Sequence, residues 1–89
     1  MEMGKLYYVV RLGVSNYAAE VGDEGVRQLL VFADEGAARE ESRRVGAELI
    51  ERKGRDRLIE LAHKREYGRL CIVDEAGGRT VVDVEDLGG

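Results

Sequence analysis

The stretch DEGAAREESRRVGAELIERKG, residues 34–54, decides the fold. Read as one element, it is a long amphipathic helix. Asp34 is a good N-cap, because its carboxylate accepts a hydrogen bond from the free N–H groups of the first turn. Glu35 follows where the helix dipole favours an acid. Ala38, Ser42, Val45 and Leu49 keep the three- and four-residue steps of a buried stripe, and Ile50 widens it. Glu35–Arg39, Glu40–Arg44 and Glu48–Arg52 place an acid four residues before a base. That order stabilises a helix by about 0.2–0.5 kcal/mol per pair, and the charges read as a solvated face. On this reading the helix runs to about Lys53, and Gly54 is its left-handed stop. Asp56 then caps a shorter helix through about Glu66, with Leu58, Ile59, Leu61 and Ala62 as its apolar positions and Gly68 as its end. One helix kinked at Gly54 is the alternative, since a mid-helix glycine costs only about 1 kcal/mol relative to alanine.

Strands flank this region. In KLYYVVRLGV (5–14) the even residues Leu6, Tyr8, Val10, Leu12 and Val14 are all apolar, whereas the odd ones are mixed. Period-two alternation marks a half-buried strand, with the even face inward. VRQLLVFA (26–33) is a second strand, with Leu30 and Phe32 as its inward pair. SNYAAEVGDEG (15–25) is either a plain connection or a strand over 17–21 that turns at 22–25. RLCIVD (69–74) and RTVVDV (79–84) are strands joined by EAGG, where Gly77–Gly78 suit a tight hairpin. The expected fold is α+β: a single domain over residues 1–89, in the order β-β-α-α-β-β. A four-stranded, mainly antiparallel sheet carries both helices on one face.

Composition bounds the function. A chain of 89 residues has a modest core, and pairing with a second copy adds buried area. The net charge of −4 makes nucleic acid an unexpected partner, because non-specific binding there runs on phosphate neutralisation. No apolar run approaches the ~20 residues needed to cross a bilayer, so no membrane role is expected. The start, MEMGKLYYVV, lacks the pattern of a signal peptide. A lone cysteine suits a reducing, cytoplasmic setting. Many Glu and Arg with one Asn, one Gln and no Pro suit growth at elevated temperature, although a GC-rich genome gives the same bias.

Few residues point to chemistry. His63 and Cys71 are the only histidine and the only cysteine. A thiol enzyme needs a thiolate held by an imidazole, and spacing alone leaves their contact open. The expectation is a surface imidazole beside a helix C-terminus and an inert buried thiol. Two such residues fall short of the four ligands of structural zinc, so no metal or other cofactor is expected. The densest basic stretch, ERKGRDR (51–57), gathers Arg52, Lys53, Arg55 and Arg57 before a helix start, a candidate anion site. If helices cover only the even face of 5–14, then Tyr7, Val9 and Arg11 lie on an open sheet surface and are the candidate interface.

The chain ends Leu87-Gly88-Gly89. A β-β-α-β-β order ending in Gly-Gly resembles the ubiquitin-like carriers and sulfur-carrier proteins. That resemblance implies a C-terminal carboxylate on Gly89 that is adenylated and passed to a thiol or amine. The two-helix segment departs from that pattern, which has one main helix. The expected function is a small cytoplasmic protein-interaction or regulatory module without catalytic activity, acting as a homodimer. Phosphate-ligand binding at the basic turn and a Gly88–Gly89 carrier are the alternatives.

Overall fold

The computed structural model describes residues 4–14, 16–47 and 49–87. The fold is α+β, with a mixed six-stranded sheet and two helices. In chain order the elements are β1 (Leu6–Arg11), β2 (Ala19–Val21), β3 (Arg27–Phe32), α1 (Glu35–Val45), β4 (Leu49–Gly54), α2 (Arg55–Lys64), β5 (Arg69–Val73) and β6 (Arg79–Asp83). The sheet runs β4-β1-β3-β5-β6, and β2 also pairs with β3. All neighbours are antiparallel except β3 and β5.

The long helix of the sequence reading is two elements. Asp34 does cap α1, accepting a hydrogen bond from the Ala37 N–H at 3.1 Å. The stop, however, is Gly46, eight residues before Gly54. Gly46 sits at φ 73°, ψ 21°, the left-handed conformation that only glycine adopts without strain. The Ala47 N–H bonds back to the Ser42 carbonyl at 2.9 Å, as helix ends with a left-handed residue do. The Ser42 hydroxyl donates to the Ala47 carbonyl at 2.8 Å, which satisfies a buried polar group and locks the turn. Residues 49–54 are thereby released, and all of them pair with β1, from Leu6↔Gly54 to Arg11↔Leu49.

β4 also corrects the layering. From β3 the chain travels to one edge of the sheet to make β4, then returns across it to β5. Strand–helix–strand crossovers share one hand, so a reversal of travel puts the two helices on opposite faces. α1 covers Val10, Leu30, Phe32, Cys71 and Val73, whereas α2 brings Leu58 and Ala62 against Tyr7, Val9, Leu29, Val31 and Leu70. Both faces of the sheet are therefore core, not the even face alone. Tyr7 and Val9 are 4% and 0% exposed, so neither is available to a partner. Leu6, Leu12 and Val14, assigned inward by alternation, are exposed instead.

The remaining connections settle the open alternatives. Within 17–21, Ala19–Val21 form a hairpin with β3 through the turn at Asp23–Gly25, whereas Tyr17 makes an isolated bridge to Arg11 of β1. Ala18 is wedged where β1 and β3 splay apart. Its N–H bonds Val10 at 2.8 Å and its carbonyl accepts from Leu30 at 3.1 Å. The β5–β6 hairpin forms as read. Asp74 Oδ1 accepts from the N–H groups of Ala76 and Gly78, and a Cβ at Gly78 would meet that carboxylate at 2.7 Å. α2 starts at Arg55 behind Gly54, so Asp56 lies in its first turn and does not cap it. Gly88 and Gly89, the carrier residues, lie outside the described residues.

Leu58 is fully buried, whereas its neighbour Arg57 is exposed. Leu58→Ala is expected to cost about 2–5 kcal/mol in urea unfolding, and Arg57→Ala less than about 0.5 kcal/mol. Equal effects would contradict the placement of α2 on the odd face of the sheet.

Candidate functional site: an arginine-lined cleft

Once 49–54 is a strand, its residues alternate between the two faces. That alternation disperses the basic stretch. Arg52 stands opposite Tyr8, on the α1 face. Lys53 stands opposite Tyr7, on the α2 face, and its Nζ lies 3.2 Å from Glu51. Arg55 donates to the Leu87 carbonyl at 2.8 Å and to Asp56 at 3.3 Å. Arg57 pairs with Glu60 on the outer side of α2, at 3.8 Å. The four do not form one anion site.

Arg52 instead joins two arginines from α1. Glu35, Arg39 and Arg43 are four residues apart, so they stack along one side of the helix. That side overhangs β1 and β4. Together with Tyr8, Ser42, Leu49, Ile50 and Arg52 they line an open cleft of about 580 Å³. Glu35 is its only acid. It reaches Arg39 at 3.5 Å, a pair more than half exposed on both sides and hence weak. Arg43 and Arg52 have no carboxylate within 4.0 Å among the described residues. The cleft thus presents guanidinium donors on two walls, a phenol ring between them and an apolar floor. It can take a carboxylate or phosphate with bidentate hydrogen bonds, and Tyr8 can stack on a planar group.

On the opposite face, Glu51 does a different job. Its carboxylate accepts from Arg11 at 3.0 Å, Tyr17 at 3.0 Å and Lys53 at 3.2 Å. This ties β4 to β1 and to the segment that leads into β2. Arg11, the third residue of the expected interface, is held in this cluster and also donates to the Gly13 carbonyl at 2.9 Å. Burial pushes the Glu51 carboxyl up, but the three donors outweigh it and hold its pKa below the ordinary carboxylate range. Burial, then the hydrogen bond to Glu51 and its charge, raise the Tyr17 phenol.

His63 and Cys71 do not meet. His63 is on α2, lining a shallow cleft with Tyr67, Arg69, Asp83 and Glu85. Cys71 is 1% exposed in the core beneath α1, so the sheet separates the two. A thiol so enclosed lacks the access that a nucleophile needs. Among the described residues no group of three or more His, Cys, Asp or Glu is placed to hold a metal ion. No helix among them is long and apolar enough to cross a membrane.

The cleft escapes a linear reading for one reason. The column Glu35–Arg39–Arg43 is legible as helix spacing, but Arg52 joins it only if 49–54 is a strand. No protein-family model matches the sequence, and no curated protein resembles it.

The Glu51 cluster makes a pH prediction. A lowered folded pKa means that its stabilisation is complete above the ordinary glutamate value of about 4.3. It is lost as pH falls from there through the folded value. The raised Tyr17 pKa works oppositely, with stabilisation complete below about pH 10 and lost as pH rises through the folded value. Glu51→Gln is expected to lower stability near neutral pH by about 1–2 kcal/mol and to flatten the acid limb of a urea-midpoint profile. An acid limb as steep as that of the unaltered protein would show that Glu51 does not carry it.

Proposed function

We propose that this protein is a non-catalytic, cytoplasmic interaction module that captures an acidic, extended segment of a partner protein. The observation that supports it most is the convergence of Arg39, Arg43 and Arg52 on one cleft, two of them without a carboxylate partner among the described residues. β4 adds a second feature, because it is an edge strand. In its ladder with β1, alternate residues turn their backbone groups outward. The Val10 carbonyl points to Ala18, away from β4, so the odd residues of β1 bond to β4. Among the described residues, Ile50 and Arg52 therefore present unpaired backbone N–H and C=O groups at the edge. An incoming strand can pair with these groups, and every second side chain then faces the arginines. A net charge of −4 argues against wholesale polyanion binding, whereas a local arginine cluster suits a short acidic segment.

Phosphate-ligand binding, the alternative, draws on the same arginines. The test is fluorescence anisotropy with an extended Asp/Glu-rich peptide, in parallel with a nucleoside triphosphate as competitor. The expected result is peptide binding that weakens with salt. Arg43→Glu with Arg52→Glu should weaken it by about tenfold or more, whereas Arg57→Glu on the opposite face should leave it unchanged. Nucleotide binding that needs Arg43 and Arg52, without peptide binding, would replace this reading with the phosphate one.

A further inference from the structure

β6 is the other edge of the sheet, and its five residues, RTVVD, read the same in charge pattern when reversed with the sign changed. We propose that β6 pairs antiparallel with β6 of a second copy about a two-fold axis at Val81, joining two sheets into one.

The argument starts from which groups are free. At its two ends the β5–β6 ladder is held by Asp74 N–H to Gly78 O at 2.9 Å and by Val84 N–H to Gly68 O at 3.0 Å. Bonded residues alternate along an antiparallel pair. Residues 78, 80, 82 and 84 therefore turn their backbone groups toward β5. Arg79, Val81 and Asp83 turn theirs outward, to an edge with no partner strand among the described residues. A two-fold axis at Val81 opposes Val81 to Val81 and Arg79 to Asp83 of the second copy. All are outward-turned residues, so each pair makes two bonds, about six in all.

Side chains agree with that register. Arg79, Val81 and Asp83 share the α1 face, since they stand opposite Val73, Cys71 and Arg69. Val81 is 49% exposed and gains an apolar neighbour in its own copy across the axis. Within the chain Arg79 bonds Glu20 at 2.8 Å and Asp83 bonds Arg69 at 2.9 Å. Placing Arg79 against the second copy's Asp83 links these into an alternating row of acid, base, acid and base on each side of the axis. On the other face Thr80 stands opposite Val82 of the second copy, both β-branched residues suited to a strand. Shifting the register by two residues sets Arg79 against Val81 and loses both charge pairs.

β4 is charged where β6 is not. An axis at Arg52, the outward-turned residue within its run Glu51-Arg52-Lys53, sets arginine against arginine at the centre. Charge is a common guard of edge strands. The middle of β6 has no charge, proline or bulge.

The test is light scattering coupled to size exclusion, across a concentration series. The unaltered chain is expected to approach twice its 9.9 kDa mass. Val81→Lys puts two ammonium groups at the axis and should give a monomer with an unchanged circular dichroism spectrum. A second variant reads the register directly. Thr80→Cys/Val82→Cys places thiols across a narrow pair, within disulfide reach, and should give a covalent dimer on mild oxidation. Thr80→Cys alone should not, and buried Cys71 faces the other side of the sheet. A monomer at every concentration would overturn the proposal. So would a dimer that survives Val81→Lys, or cross-linking by Thr80→Cys alone as readily as by the pair.

Discussion

The structure hangs on the backbone conformation of Gly46. Its left-handed φ of 73° ends α1 after Val45, and the Ser42–Ala47 bonds hold that end in place. Everything downstream depends on this stop. With it, Leu49–Gly54 become a strand beside β1, and the chain must recross the sheet to make β5. Because crossovers keep one hand, recrossing puts α2 on the face opposite α1. Tyr7 and Val9 then become core, and Arg52 comes to face the arginines of α1. A side chain at residue 46 would strain the turn by about 1–2 kcal/mol and work against each of these consequences together.

How much of this was legible follows from the kind of signal each element carries. The β5–β6 hairpin was readable because its glycines and Asp74 act locally. The Asp34 cap was readable for the same reason. The end of α1 was not, because Gly46 and Gly54 are both competent stops and the apolar stripe runs on through Leu49 and Ile50. Helix spacing and a strand beginning with two apolar residues overlap there, and only the pairing of β4 with β1 breaks the tie. The consequence spreads through the sheet, because without β2 and β4 only one face would be covered and Tyr7 would be exposed. Pattern within β1 gave no warning. A strand buried on both faces shows apolar residues at Tyr7, Tyr8, Val9 and Val10 alike, which alternation arguments treat as noise.

Both edges of the sheet are strands of similar length, yet their chemistry separates them. β4 carries Glu51, Arg52 and Lys53 in succession, with Glu51 and Lys53 already paired on the α2 face. Its free side is thus a single arginine above open backbone, suited to something unlike itself. β6 carries opposite charges at its ends and valines between them, suited to its own reverse. A small sheet with two open edges risks growing without end. On the proposed assignments one edge meets an unlike partner and the other closes as a symmetric pair, which stops open-ended growth through β6.

The net charge of −4 hides how the charges are arranged about α1. One flank carries Arg39 and Arg43 over β4. The other overhangs β5 and β6, where Glu40, Glu41, Asp74 and Glu75 line a second cleft. Arg44 and Arg79 lie on that acidic flank but are held by Glu41 at 2.6 Å and Glu20 at 2.8 Å, so they offer little free positive charge. The helix therefore divides its face of the sheet into a basic side and an acidic side. An acidic segment is attracted to the first and repelled by the second. Repulsion from the wrong site sharpens specificity as much as attraction to the right one. The i,i+4 charge pairs that look like a plain solvated helix surface thus acquire direction from the sheet beneath them, because β4 supplies Arg52 to one side and the Asp74 hairpin supplies acid to the other.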